Sequence, residues 1–225
     1  MTRKREKPRA GKKTDDGVSR RDFLRGAGVA VSGSLLVGEA QGLADSSGKS
    51  TGIQGPGEVP VTLRINGGVK RLNLEPRVTL LDALRDRLDI TGAKKVCDRA
   101  TCGSCTMLLD DKPVYACTVL AIEAQGHDVT TIEHFSEGGK LHPVMTAFAE
   151  NDAQQCGFCT PGFVMACIAF LKTHPNPTLE EVEKGLGGNL CRCGTYRGIR
   201  QAVLDTAKVI SAQTKGGPIH GELQV

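Results

Sequence analysis

The sequence predicts an α+β protein of two small domains, the first mixed and the second helical. Over residues 59–134 apolar residues form short strand-like runs around one helical segment, whereas over residues 135–215 they recur at helical spacing. With 225 residues, of which 39% are hydrophobic, the chain can form a modest core in each domain. It has no Trp, two Tyr and six Phe, so we expect cores of Leu, Ile, Val and Ala. The nine cysteines are the residues expected to add further cross-links to these small cores.

The basic excess of the chain lies at its start. The whole chain has 29 Lys and Arg against 25 Asp and Glu, a formal net charge of +4. Residues 1–44 hold ten of the basic and five of the acidic residues, which leaves 19 basic and 20 acidic residues from position 45 onward. Because this remainder is close to neutral, we expect no nucleic-acid partner.

An export signal is indicated by residues 1–44. The segment SRRDFLR at 19–25 follows a basic, polar start and precedes a weakly apolar run at 26–37, and small residues continue to Ala44. This layout is typical of a twin-arginine signal peptide. An apolar run of about 12 residues is shorter than the roughly 20 that span a bilayer, so we expect no stable membrane insertion after cleavage.

The residues outside the signal and the two predicted domains are expected to form a linker and a tail. We expect cleavage near Ala44, a flexible linker at residues 45–58 and a short tail at 216–225. Similarity to other twin-arginine substrates implies that the protein is exported folded, with its cofactors inserted in the cytosol. The mature protein is therefore expected in the periplasm.

The first domain begins with two strands and a helix. Residues 59–65 and 69–74 have strand-like composition around a tight Asn-Gly-Gly turn, which predicts a hairpin. Four leucines at helical spacing predict a helix over residues 79–88, and a later strand is predicted at 106–109, ending in an Asp-Asp turn. The order strand, strand, helix is the opening of a β-grasp domain.

The first domain also carries four cysteines in a distinctive pattern. Cys97, Cys102 and Cys105 have the spacing C-x4-C-x2-C, and Cys117 follows at a distance, which is the plant-type ferredoxin pattern of a [2Fe-2S] cluster. Gly103 allows the loop to turn its amides toward the sulfurs. A tetrahedral zinc site and a disulfide framework are the alternatives. Zinc usually takes two short cysteine pairs, so the pattern favours the cluster.

The second domain is predicted to consist of four helices with two cysteine pairs between them. One pair is Cys156-Gly-Phe-Cys159 and the other is Cys191-Arg-Cys193, and each directly precedes a predicted helix. A disulfide within the second pair would be strained, but zinc remains an alternative for the four thiols. The predicted helices are residues 142–151, 162–173, 179–186 and 198–213.

The N-terminal ends of the predicted helices give a physical reason for cysteine ligands at these positions. Thr160 can cap the helix after the first pair, with Pro161 at its first position, and Gly194-Thr195 offers a cap after the second pair. A [2Fe-2S] group with four thiolates carries a net charge of about −2, which the positive ends of helix dipoles stabilise.

The ninth cysteine and the histidines do not extend these patterns. Cys167 shares a helical face with Phe163, Phe170 and Leu171, so we interpret it as an inert core thiol. The five histidines show no paired metal-ligand spacing, and no Ser/His/Asp set or carboxylate pair is recognisable. The sequence therefore predicts no catalytic site on this chain.

Three sequence signatures follow one another along the chain: CDRATCGSCT at 97–106, QCGFCTPG at 155–162 and GNLCRCGTY at 188–196. Together they resemble those of a known family, the small iron-sulfur subunits of the molybdenum hydroxylases, or xanthine oxidase group. The resemblance covers residues 59–213 and is strongest to the iron-sulfur subunits of periplasmic aldehyde oxidoreductases. Ala100 stands where many relatives have Gly, and the order Gly194-Thr195 differs from the common Thr-Gly, but neither departure removes a ligand.

This resemblance implies an electron-transfer subunit without a substrate site of its own. Its expected fold is a plant-type ferredoxin-like β-grasp domain followed by a four-helix domain, each holding one [2Fe-2S] cluster. The expected partners are a large molybdopterin-binding subunit, which oxidises an aldehyde or an N-heterocycle, and a flavin (FAD) subunit or a heme-containing c-type cytochrome. The helical-domain cluster lies nearer the pterin in similar proteins, which implies that Cys193, and less directly Gln155, lies at the pterin edge.

Two other functions remain open at this point. A free periplasmic carrier with two clusters would need the same ligands, and a structural zinc protein could use the same thiols. Two clusters in series can carry electrons from one protein partner to another, which favours the subunit over the free carrier.

The export interpretation makes a direct prediction. Changing Arg20 and Arg21 together to Lys should keep the protein in the cytosol with its clusters intact, because the arginine pair is read by the export receptor and plays no part in the fold. Cell fractionation checks this. The doubly changed protein in the periplasm at its normal level would show that residues 1–44 are not a twin-arginine signal.

Overall fold

The computed structural model describes residues 56–139 and 141–215. The predicted signal, most of the predicted linker and the predicted tail lie outside these residues. The described part combines one mixed sheet with helices, which confirms the α+β class. The strands are β1 (Val59–Ile65), β2 (Gly68–Leu74), β3 (Thr106–Leu109), β4 (Lys112–Tyr115) and β5 (Asp128–Thr130).

The sheet has the order β2-β1-β5-β3-β4. β1 pairs with β2 antiparallel and with β5 parallel, and β3 pairs antiparallel with both β5 and β4. Both predicted turns are present: Asn66 and Gly67 have φ values of 49° and 78°, and Asp110 and Asp111 have φ values of 47° and 64°. Left-handed residues at both central positions are what a two-residue hairpin turn requires.

The helical segment after the hairpin differs from the prediction. Only α1 (Leu80–Asp82) is α-helical, and Ala83–Arg87 continues as a π-helix. The Arg85 guanidinium donates to the carbonyl oxygens of Thr91 and Ala93 at 2.8 and 2.7 Å, which ties the end of the segment to the following loop. These bonds link residues six and eight positions apart, so the helical periodicity of the sequence did not reveal them.

The second half of the chain is helical, as predicted, with bounds within about two residues of those expected. A 3-10 helix, which the sequence did not predict, lies across the expected domain boundary at 134/135, so that boundary stays a prediction. No helix among the described residues is long and apolar enough to span a membrane. The elements are the 3-10 helix Ile132–Gly139, α2 (Pro143–Glu150), α3 (Thr160–Thr173), α4 (Leu179–Gly185) and α5 (Tyr196–Lys215).

Two hydrophobic cores lie on either side of β3. The sheet core consists of aliphatic residues, cysteines and one Met, as composition suggested, whereas the helical core also buries Phe148, Phe163 and Phe170. Leu108 of β3 packs with Met165 of α3 in a small cluster between the two cores. The aromatic residues are few in number but concentrated where the helices pack.

The joint between the sheet and the helices is close-packed around glycine. A Cβ atom on Gly162, in the first turn of α3, would lie 2.3 Å from the Gly103 carbonyl oxygen and 2.9 Å from Ser104 Cα. At the other end of α3, Lys172 Nζ and Asp111 Oδ1 form an ion pair at 2.8 Å. The Cys102–Cys105 loop therefore lies directly against the start of α3.

This packing predicts a cost for Gly162→Ala. The added methyl would force the helix and the loop apart, and we expect a loss of about 1–3 kcal/mol in the free energy of unfolding. Gly57→Ala is the matched control, because nothing lies within 4 Å of a Cβ at that position. Urea unfolding of both variants measures the difference, and equal midpoints would contradict the close contact.

Candidate metal centres

The first set of cysteines lies in the loop before β3 and in the turn after β4. Cys97 and Cys102 are half-buried, and Cys105 and Cys117 are buried. The Thr101 amide donates to Cys97 Sγ at 3.4 Å, which places a backbone donor on one of the sulfurs. Amide donors of this kind stabilise thiolate ligands.

The loop reaches this arrangement through left-handed backbone. Asp98, Ala100 and Gly103 have φ values of 55°, 53° and 69°. The Ala100 amide donates to Cys117 Sγ at 3.3 Å, so the departure from Gly at this position leaves the amide aimed at sulfur. A left-handed conformation costs a non-glycine residue about 1–2 kcal/mol.

The electrostatics of this set differ from one thiol to the next. Hydrogen bonds from the backbone amides of Arg99 and Thr101 lower the pKa of Cys97 to about 6. Burial raises the pKa of Cys105 to about 12, and the charges of Cys117 and Cys102 act in the same direction. Cys102 also donates to Cys97. The structure therefore brings the four predicted cysteines together.

The second set lies where α3 and α5 begin. Cys159 is the N-cap residue of α3, with Pro161 in the first turn, so the prediction that Thr160 caps this helix was wrong. The Cys191 amide donates to the Tyr196 hydroxyl oxygen at 2.9 Å, and Cys191 Sγ lies 3.2 Å from Thr195 Oγ1. Thr195 directly precedes α5, but its hydroxyl contacts sulfur.

The thiols of the second set also differ in acidity. Burial raises the pKa of Cys159 to about 12, with further contributions from Cys191 and Cys156. Burial alone would raise the pKa of Cys191 as well, but the hydroxyl and amide of Thr195 hydrogen-bond to the sulfur and lower it to about 7. The structure brings Cys156, Cys159 and Cys191 together, and Cys156 and Cys193 are both exposed.

The two sets share a cavity. A space of about 360 Å³ is lined by Cys102 from the first set and by Cys156, Cys159 and Cys191 from the second. Leu190 also lines it. The two cysteine sets are therefore neighbours across one opening, although their residues are separated by about 50 to 90 positions in the sequence.

The donors present fit an anionic iron-sulfur group. Each set offers thiols, and backbone amides or a hydroxyl hydrogen-bond to their sulfurs, which suits bound sulfide and thiolate. Among the described residues, no three His, Cys, Asp or Glu side chains are spaced to hold a single metal ion. Gln155 and Cys193, the two predicted pterin contacts, are both exposed.

Comparison with known proteins agrees with this chemistry. Residues 131–204 match the family of the [2Fe-2S] binding domain. Over 213 residues the chain is 36% identical to the aldehyde oxidoreductase iron-sulfur-binding subunit PaoA of Escherichia coli O157:H7, covering 88% of this chain and 92% of that protein. The chain belongs to the iron-sulfur subunits of the molybdenum hydroxylase family. As such a subunit, it is the non-catalytic electron-transfer part of an oxidoreductase.

Other iron-sulfur subunits of the family act with different enzymes. The nicotine 6-hydroxylase small subunit of Paenarthrobacter nicotinovorans is 42% identical over 147 residues, 65% of this chain and 88% of that protein. Among solved structures, quinoline 2-oxidoreductase from Pseudomonas putida 86 matches with a TM-score of 0.66 and 39% identity, over 71% of this chain and 98% of that chain. The aldehyde oxidoreductase of Desulfovibrio desulfuricans matches with a TM-score of 0.65 and 37% identity, over 68% of this chain and 17% of that longer chain.

Sequence reasoning missed the residues that join the two cysteine sets. The Tyr115 hydroxyl donates to the Gly188 carbonyl oxygen at 2.8 Å, and the Leu190 amide donates to the Cys102 carbonyl oxygen at 2.9 Å. Asn189 lies between these contacts and is buried. No local signal marked this role, because an Asn beside a cysteine motif is usually exposed, and its partners Gly103 and Thr106 lie 86 and 83 positions away in the sequence.

Cys167 lies where the sequence predicted. It is fully buried in the helical core, together with Phe163 and Ile168. Burial raises the pKa of its thiol well above the usual range. The interpretation as an inert core thiol is therefore confirmed in its packing.

This burial predicts that Cys167 contributes to core packing and not to cluster binding. Cys167→Ser should leave the iron content unchanged while it lowers the free energy of unfolding by about 1–3 kcal/mol, because a hydroxyl is buried among apolar groups. Cys117→Ser, at a buried cysteine of the first set, is the control and should lose iron. Iron analysis and thermal unfolding measure both effects, and loss of a cluster in Cys167→Ser would make Cys167 a ligand.

Proposed function

We propose that this chain carries two [2Fe-2S] clusters and conducts electrons between a molybdopterin centre on a large partner subunit and a flavin or heme acceptor. The observation that carries the proposal is the shared cavity, in which Cys102 of the ferredoxin-type set faces the second set. Two sets of thiols across one opening suit transfer from one group to the other. The bound clusters would supply one-electron oxidation and reduction, and the chain would supply ligands, amides and insulation from water.

The ligands follow from the two sets. The β-grasp half holds one group and the four-helix half holds the other, within the predicted domains 59–134 and 135–215. In the second set Cys193, which is exposed, would be the fourth ligand in addition to the three cysteines that lie together. The proposed ligands are Cys97, Cys102, Cys105 and Cys117 for the first cluster and Cys156, Cys159, Cys191 and Cys193 for the second.

An apolar surface beside the cavity supports a partner subunit over a free carrier. Val96, Phe158 and Leu190 are 53%, 52% and 48% exposed, and all three line the cavity that the cysteines share. Large apolar side chains grouped at one opening mark a protein-binding surface. A free carrier would leave this surface in water, whereas a large subunit would cover it.

The orientation within the complex follows from similarity. The second set would face the pterin, with Cys193 and Gln155 at its edge, and the first set would face the acceptor. Both residues are exposed, as contact with another chain requires. The acceptor would be an FAD subunit or a c-type cytochrome.

Substrate class and location are proposed from the relatives and from residues 1–44. The names of the similar proteins include aldehyde oxidoreductases, a nicotine hydroxylase and a quinoline oxidoreductase, so the partner would oxidise an aldehyde or an N-heterocycle. The twin-arginine pattern supports a periplasmic enzyme that is exported folded.

Metal analysis tests the cluster count. The purified chain should contain about four irons and no stoichiometric zinc, because eight thiolates fill two sites of four ligands each. A rhombic spin signal after chemical reduction should accompany this iron. About two irons would mean that one set is not a cluster site. Stoichiometric zinc would show that the chain is a structural zinc protein and not an electron carrier.

The apolar surface predicts which leucine matters for assembly. Leu190→Ser should weaken association with the large subunit about tenfold or more, since truncating a buried interface anchor costs over about 1 kcal/mol. Leu179→Ser is a matched control, because Leu179 is 50% exposed but does not line the cavity. Co-purification and a titrated pull-down compare the binding of the two variants to the large subunit. An equal loss of binding in both variants would show that this surface is not the docking site.

A further inference from the structure

Asn189 is a buried polar residue between the sheet and the helices. The residue is 6% exposed. Its Nδ2 donates to the Gly103 carbonyl oxygen at 2.9 Å and to Thr106 Oγ1 at 3.3 Å. Its backbone amide donates to the Leu186 carbonyl oxygen at 3.1 Å, just after α4. A buried amide whose partners and backbone are both fixed holds a single geometry.

The following residue extends the same contact. The Leu190 amide donates to the Cys102 carbonyl oxygen at 2.9 Å, and Cys191 comes next in the chain. Residues 189 and 190 therefore bond to two consecutive carbonyl groups of the first cysteine loop. The segment that makes these bonds leads directly into the second cysteine set.

The loop has no room to shift toward this segment. Gly103 is left-handed, with φ of +69°, and a Cβ there would lie 2.6 Å from Asn189 Cγ and Nδ2. On the other side of the joint, a Cβ on Gly162 would lie 2.3 Å from the Gly103 carbonyl oxygen. The Thr106 hydroxyl donates to that same oxygen at 2.7 Å. The Asn189 amide is therefore packed closely against Gly103 and the Thr106 hydroxyl.

We propose that Asn189 is a positioning residue whose side chain holds the loop of Cys102 and Cys105 against the segment of Cys191 and so sets the separation, and with it the spin-spin coupling, of the two clusters. The proposal rests on the proposed function, because it requires one cluster on each set. Coupling between two paramagnetic centres falls steeply as their separation grows. A residue that fixes both cysteine segments therefore controls the coupling without touching either cluster.

The test uses the assembled complex with Asn189→Asp. The carboxylate keeps the shape of the side chain but sets an acceptor against the Gly103 carbonyl oxygen, which should push the two segments apart. After reduction with sodium dithionite, we expect about four irons per chain and a narrowed or lost spin-spin splitting between the two cluster signals. Asn73→Asp, at an exposed position on β2, is the matched control and should keep the splitting.

The spin-spin splitting distinguishes a positioning role of Asn189 from a purely stabilising one. A destabilised protein that still holds both clusters at their usual separation keeps its splitting. Unchanged splitting in Asn189→Asp with about four irons would overturn the proposal, as would an unaltered chain with about four irons and no splitting. If Asn189→Asp loses iron, Asn189→Ala decides, because it removes both hydrogen bonds of the side-chain amide without setting an acceptor against the Gly103 carbonyl oxygen. Narrowed splitting in that variant supports the proposal and unchanged splitting overturns it. About two irons in the unaltered chain would instead overturn the two-cluster function, and this inference with it.

Discussion

The contact between the first cysteine loop and residues 188–190 is the constraint on which the rest of the structure depends. It joins a sheet core and a helical core that are otherwise connected mainly through Leu108, Met165 and their neighbours. Because the contact consists of hydrogen bonds from amide groups to backbone carbonyl oxygens, it fixes the relative orientation of the two segments as well as their distance. Small side chains are required around it, so two glycines lie where any larger residue would separate the halves.

The two sets of thiols use the same balance of burial and hydrogen bonding. In each set the pKa of one thiol is lowered, to about 6 for Cys97 and about 7 for Cys191, and the pKa of another is raised by burial to about 12, for Cys105 and Cys159. The lowered values come with donors on the sulfur, from amides in the loop and from a hydroxyl before α5. A metal group must displace protons from the buried thiols, and burial then shields the bonds that form.

The sequence was informative wherever structure depends on neighbours in the chain. The turns at Asn66-Gly67 and Asp110-Asp111, the strands β1 to β3 and the four helices of the second half could be predicted, because apolar spacing and turn residues act locally. The short strand β5 was not predicted. The cysteine spacing predicted the first set of four thiols and the grouping of Cys156, Cys159 and Cys191, whereas the place of Cys193 in the second set stays a prediction. The π-helical geometry of Ala83–Arg87 and the N-cap at Cys159 could not be predicted, since each depends on contacts between segments. The contact of Asn189 with Gly103 joins residues 86 positions apart, and no local pattern encodes it.

The long separation across the joint also bears on the timing of synthesis. A chain emerges from the ribosome from its first residue onward, and domains fold as their parts appear. The Cys102–Cys105 loop receives its bonds from residues 189 and 190 only when nearly the whole chain has been made. The first cysteine loop is therefore completed by the last quarter of the polypeptide, and its final form belongs to the finished chain and not to a nascent one.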